Sequence, residues 1–280
     1  MSNLTAALAL SLLVVAAVPL AQTETAQLTD AQIEQFLSKA RVTRTRSAPK
    51  GITGSTRATL TDGTLTHEAH IQTIDETVRE FRSMREVEFN FRDSWTFNIA
   101  AYKIDRMLGL HLVPVSVERY WNGKRSAFTW WVDDVMMDEG ERLAKRLQAP
   151  DLRCWNDQVR LLRVFDQLIE NIDRNLGNML ITTKWRIWAI DHTRAFRRSP
   201  TPRAPKDLTK IDRTVLARLQ ELDEPTLKKA VGRYLDPYEI KALLQRRDFI
   251  VAHFQAMGEE VLFDRGSEPA CADTVPVVPR

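Results

Sequence analysis

Residues 164–196 read VFDQLIENIDRNLGNMLITTKWRIWAIDHTRAF, and this stretch sets the reading of the whole chain. It begins as an apolar helix through Val164, Phe165, Leu168 and Ile169 and passes into a polar turn with Asp173 and Asn178. A short hairpin follows, and then Asp191. Asn178 lies five residues after Asp173, and Asp191 thirteen residues after Asn178. A tight loop followed by a hairpin brings the chain back on itself, so one carboxylate faces an amide and a second carboxylate across a cleft. Asp173 is a carboxylate of the kind that can take a proton from a hydroxyl. Asn178 and Asp191 are hard oxygen ligands of the kind that hold Mg²⁺ or Mn²⁺ on phosphates. The same residues would also suit a plain polar loop, with Asp173 capping a turn between a core helix and a hairpin.

The 280 residues suffice for a full core, as one large or two small domains. With 44% hydrophobic and 28% charged residues the composition is that of a globular protein, not a disordered one. A net charge of +3 makes no general case for nucleic acid as a partner. Two local basic runs, 41–50 and 194–203, read as solvated linkers. Cys154 and Cys271 form no metal motif; they could pair in an oxidising compartment, but Cys271 falls in a Pro-containing tail and no bridge is expected. The apolar run 4–21 ends in Pro19-Leu20-Ala21-Gln22 and is expected to be an export signal, with a membrane anchor as the alternative. No comparable run follows, so the body of the chain is expected to make no membrane contact.

After a short helix over 29–40 and the basic linker, residues 56–60 and 64–74 form a hairpin around Thr61-Asp62-Gly63. A helix over 93–110 with an apolar face through Trp95, Ile99, Tyr102 and Leu108 ends at Gly109. Strands over 115–120 and 126–132 flank Asn122-Gly123, a strong hairpin signal. A helix over 151–172 feeds the loop at Asp173. Asp223-Glu224-Pro225 and Asp236-Pro237 each open a further helix, with proline in the first turn. The tail from 266 onward is expected to lack fixed structure.

IDRNLGN followed by IDHTRAF resembles the atypical kinases that carry D-R-x-x-x-N in the catalytic loop: the phosphatidylinositol 3- and 4-kinases and, more closely, the secretory-pathway Golgi casein kinases. Phe165, Asp166, Leu168, Ile169, Asn171, Asp173 and Arg174 match the F-D-x-L-I-x-N-x-D-R of the latter family, and the helix DSWTFNIAAYKIDRMLGL resembles its E-I-A-A-F-x-L-D element. The resemblance implies an α+β, two-lobed protein-kinase-like fold, with a β-rich lobe over 50–139 and a larger helical lobe over 140–263. It implies transfer of a γ-phosphoryl group from ATP (or GTP), with Mg²⁺ or Mn²⁺, to a hydroxyl on a protein, glycan or lipid. Asp173 would be the catalytic carboxylate, with Arg174 beside it fixing the loop, and Asn178 and Asp191 would bind metal. Gly51 and Gly54 of GITGST resemble a phosphate-binding glycine loop of the phosphatidylinositol 4-kinases. Trp131 falls where such folds lead into the adenine hinge, as core or as stacking platform.

One pair departs from the pattern. Alignment puts Gln72 at the strand lysine that binds phosphate and Asn98 at its helical glutamate partner, so both members of the ion pair are amides. They are expected to hydrogen-bond to each other, unless the alignment slips and Glu86 or Glu88 is the helix partner. Lys50, His70 and Arg194 are candidate replacement cations. The departure leaves open a pseudokinase that binds nucleotide or protein without catalysis. A structural protein with no nucleotide site is the third reading.

Overall fold

The computed structural model describes residues 28–47, 55–82 and 87–265. Lys50, Gly51, Gly54, Glu86, the apolar run 4–21 and Cys271 lie outside them. Helix α1 (Asp30–Lys39) opens with a capping box, in which Thr29 Oγ1 accepts from the Gln32 N–H and Gln32 returns the bond. It leads into β1 (Arg41–Ser47), β2 (Thr56–Thr61) and β3 (Thr66–Gln72). Gly63, at φ 97°, turns the β2–β3 connection while Asp62 Oδ1 accepts from Thr64 and Leu65 N–H. β4 (Asp75–Arg82) and β5 (Val87–Ser94) form a separate two-stranded ribbon. Next come α2 (Thr96–Leu108), β6 (Ser116–Trp121) and β7 (Lys124–Trp130).

The main sheet has the order β1-β2-β3-β7-β6, antiparallel throughout. Period-two alternation sends Ala58, Leu60, Ala69, Ile71 and Phe128 to one face, where they share a core with Phe36 and Leu37 of α1 and Phe97 and Ala101 of α2. Arg57, Glu68, His70 and Gln72 belong to the opposite face. Asp105 of α2 is fully buried and accepts from the Leu112 and Val113 N–H at 2.8 and 3.2 Å, pinning the chain that returns to the sheet. Burial raises this carboxyl to about 6 against the pull of Arg106.

The second half contains β8 (Val135–Asp138), α3 (Glu139–Ala144), α4 (Leu152–Ile169), the hairpin β9 (Met179–Thr182) and β10 (Ile187–Ala189), β11 (Ile211–Asp212), α5 (Arg213–Glu221), α6 (Glu224–Val231), α7 (Pro237–Met257) and β12 (Leu262–Phe263). β8 pairs with β9 rather than with the five-stranded sheet, and β11 with β12. Arg246 of α7 is fully buried and ties the end of α4 in place, donating to Leu168 O at 2.8 Å and pairing with Glu170 at 3.1 Å. Among the described residues no helix is long and apolar enough to cross a membrane.

Four expectations change. The basic segment read as a linker forms β1, because its backbone finds the free edge of β2 while its side chains stay in water. The helix expected over 93–110 starts at Thr96, since Asp93 and Ser94 complete β5 opposite Glu76 and Asp75. Glu88 belongs to β5, not to the helix. Cys154 is disulfide-bonded, where no bridge was expected.

Candidate active site

The loop after α4 is built by its own side chains. Helix α4 ends at Glu170 in a left-handed conformation, φ 46°. Asn171 Oδ1 then accepts the Asp173 N–H at 3.1 Å, and Asp173 O accepts the Asn175 N–H at 2.7 Å. Arg174 turns away from Asp173 and knots the loop. Its Nε and Nη2 donate to the two oxygens of Asp166 at 3.0 Å each. Nη1 donates to Asn178 O at 3.0 Å and Ile190 O at 2.8 Å, and Nη2 also donates to His192 Nε2 at 2.9 Å. Arg174 therefore acts through the backbone it holds. The run from Phe165 to Arg174 becomes intelligible in this light: Asp166 and Asn171 brace the loop, while Leu168 and Ile169 are core.

That knot brings the chain at Asp173, Asn178 and Asp191 together. The Ile190 N–H donates to Asn178 O at 3.0 Å, closing the base of the β9–β10 hairpin, so Asn178 and Asp191 flank its open end. Asn178 Nδ2 donates to Asp173 O at 3.3 Å, which turns its Oδ1 to the other side. Asp173 is half open to solvent, its side chain 44% exposed and 4.0 Å from Arg194 Nη1. Asp191 is exposed, has φ 54°, and accepts from Thr193 Oγ1 at 3.1 Å. His192 is buried, and burial together with Arg174 holds it well below its ordinary pKa. It is neutral, with Nε2 accepting from the guanidinium.

Gln72 and Asn98 do not pair. Gln72 Oε1 turns back on its own chain and accepts from Thr73 and Ile74 N–H at 3.0 and 3.3 Å, because the backbone leaves β3 there with two donors unmet. Asn98 Oδ1 accepts from the His192 N–H at 2.8 Å and ties α2 to the loop after Asp191.

On the sheet side the two tryptophans separate. Trp130 stacks on His67 at 3.5 Å and meets Phe36 edge-on, in the core. Trp131 is half-buried: its N–H donates to Glu68 O at 3.1 Å and its ring lies 3.9 Å beneath the Arg57 guanidinium. Arg57 in turn pairs with Glu68, which also takes Arg46 at 2.7 Å. His70, opposite Arg57 in register, hydrogen-bonds Ser55; burial lowers its pKa, and the charge of Asp191 is near enough to oppose this. Sequence reading missed Arg57 and Asp93. Strand alternation would have placed Arg57 beside His70, whereas Asp93 was hidden by reading it as the first residue of a helix.

Asn178 Oδ1 and Asp191 suit a hard divalent cation that takes its remaining oxygens from phosphates and water. Among the described residues no three His, Cys, Asp or Glu side chains form a metal cluster.

No protein-family model matches the chain, and no curated protein matches its sequence. Its fold does have solved counterparts. The structure of hydra Fam20 with sugar superposes with a TM-score of 0.63 at 16% identity, covering 84% of this chain and 92% of that one. The Golgi casein kinase with Mn/ADP bound gives a TM-score of 0.57 at 14% identity, over 85% and 80%. These likenesses show a kinase-like fold.

Proposed function

We propose that the chain is a kinase-like phosphotransferase, moving the terminal phosphoryl group of ATP or GTP to a hydroxyl on a protein, glycan or lipid. What supports this reading is that Arg174 ties the chain at Asp173, Asn178 and Ile190 to one loop-and-hairpin base, next to Asp191. In the reaction the acceptor oxygen bonds to the γ-phosphorus, the bond to the β-phosphate oxygen breaks, and a nucleoside diphosphate leaves. Asp173, half open to solvent and close to the Arg194 cation, orients the hydroxyl and takes its proton. Asn178 and Asp191 would hold Mg²⁺ or Mn²⁺, which neutralises charge on the phosphates. Asn98 fixes the backbone beside Asp191, and Trp131 offers an aromatic face near the hinge. The expected setting is outside the cytoplasm, exported or membrane-anchored, on the strength of the apolar run 4–21 and the disulfide at Cys154.

A second reading has its own support. Gln72 spends its carbonyl on its own backbone, and neither β2 nor β3 carries a lysine. A nucleotide-binding pseudokinase would look the same. Melting of the purified protein with ATP or GTP, with and without Mg²⁺ or Mn²⁺, tests both readings. A metal-dependent rise in Tm that Asp191→Ala abolishes, accompanied by phosphoryl transfer to an acceptor, supports the enzyme. The rise without transfer supports the pseudokinase, and no rise at millimolar nucleotide refutes both.

A further inference from the structure

Asp93 stands at the end of β5, only 9% exposed, with its Oδ1 buried and lacking any hydrogen-bond partner. The strand delivers it to the loop beyond β10. The Ser94 N–H donates to Thr193 O at 2.9 Å, and the Thr193 hydroxyl that donates to Asp191 Oδ1 at 3.1 Å also lies within hydrogen-bonding reach of Asp93. One hydroxyl hydrogen thus stands between two carboxylates and can satisfy one of them at a time. A buried carboxylate oxygen without a donor is costly unless something positive meets it.

Nothing on α2 fills that need. Asn98, at the position aligned with the helical glutamate, has already given its Oδ1 to the His192 N–H. Asn178 and Asp191 alone bring one negative charge to a divalent ion. Asp93, which β5 brings beside Thr193 with one oxygen unpartnered, would bring the second.

We propose that Asp93 is a third protein ligand of the divalent cation held by Asn178 and Asp191, reaching it from the end of β5. The proposal rests on the metal-binding part of the phosphotransferase reading. Its test is Mn²⁺ binding by the full chain, followed through the electron paramagnetic resonance signal of free Mn²⁺, for wild type, Asp93→Asn and Asp93→Glu, with each protein also melted in EDTA. Asp93→Asn is expected to weaken Mn²⁺ binding roughly 10- to 100-fold, the range for lost metal-site partners. Its Tm in EDTA should hold or rise, since a buried charge beside Asp191 is gone, and Asp93→Glu should recover part of the affinity. The proposal is overturned if Asp93→Asn binds Mn²⁺ like wild type, or if it fails to fold in EDTA, because either result makes Asp93 a structural partner of Arg194 and Thr193. Wild type that takes up no Mn²⁺ would remove the metal reading and this inference together.

Discussion

Replacing Arg174 by Met should unlock the candidate site from behind. The guanidinium makes two 3.0 Å bonds to Asp166, and the side chains are only 15% and 11% exposed. After the substitution Asp166 keeps a single weak partner, Asn171 Nδ2 at 3.4 Å. Leaving such a charge uncompensated costs about 3 to 5 kcal/mol. Ile190 O and His192 Nε2 also lose a donor, whereas Asn178 O keeps the Ile190 N–H. For a domain of this size the loss corresponds to roughly 6 to 20 °C in Tm. Urea unfolding of Arg174→Met, Asp166→Asn and the double variant isolates the pair. Asp166→Asn should destabilise the wild type but stabilise the Arg174→Met background, because there it removes a stranded charge. If Arg174→Met costs less than about 1 kcal/mol, or Asp166→Asn destabilises both backgrounds equally, the knot is not what holds the loop.

Two other perturbations reach different parts of the molecule. Asp105 has a folded pKa of about 6 against an ordinary 3.8, so the folded state retains a proton that the unfolded chain has lost between those values. Its contribution to stability is complete below about pH 4 and is lost as the pH rises through about 6. Asp105→Asn, which keeps an acceptor for Leu112 and Val113, should flatten the urea midpoint across that window, and an unchanged pH profile would contradict the assignment. Gln72→Lys should cost the free protein about 1 to 3 kcal/mol, since the caps on Thr73 and Ile74 are lost, yet tighten ATP binding at least tenfold in a calorimetric titration. An unaltered affinity would mean that position 72 does not face the phosphates.

The parts legible in the sequence were those where neighbours along the chain do the bonding. Asp166, Asn171, Asp173, Arg174 and Asn178 interact within a dozen residues, and the resemblance to the Golgi casein kinases rests on that local pattern. Helix starts at Asp223 and Asp236 were equally plain, because N-caps bond two or three residues ahead. Pairings across the chain were not legible. Gln72 and Asn98 looked like partners since both had changed from charged to amide, but each found a nearer backbone donor once folded. Strand β1 escaped because its alternation is masked: with both faces largely solvated, nothing apolar marks the period. Asp93 escaped because β5 runs into α2 with hardly a break.

The placement of β1 also bears on how copies of this protein meet in concentrated solution. Among the described residues it is an outermost strand, and its far side offers backbone groups to any extended segment that approaches. Arg41, Arg44 and Arg46 are exposed along it. An antiparallel match with a second β1 would set arginines opposite one another with Cβ atoms about 5 Å apart, a destabilising pairing of like charges. The strand that looked like a mere basic tether thus guards an open margin: the backbone invites self-association, and the arginines make an identical strand a poor guest.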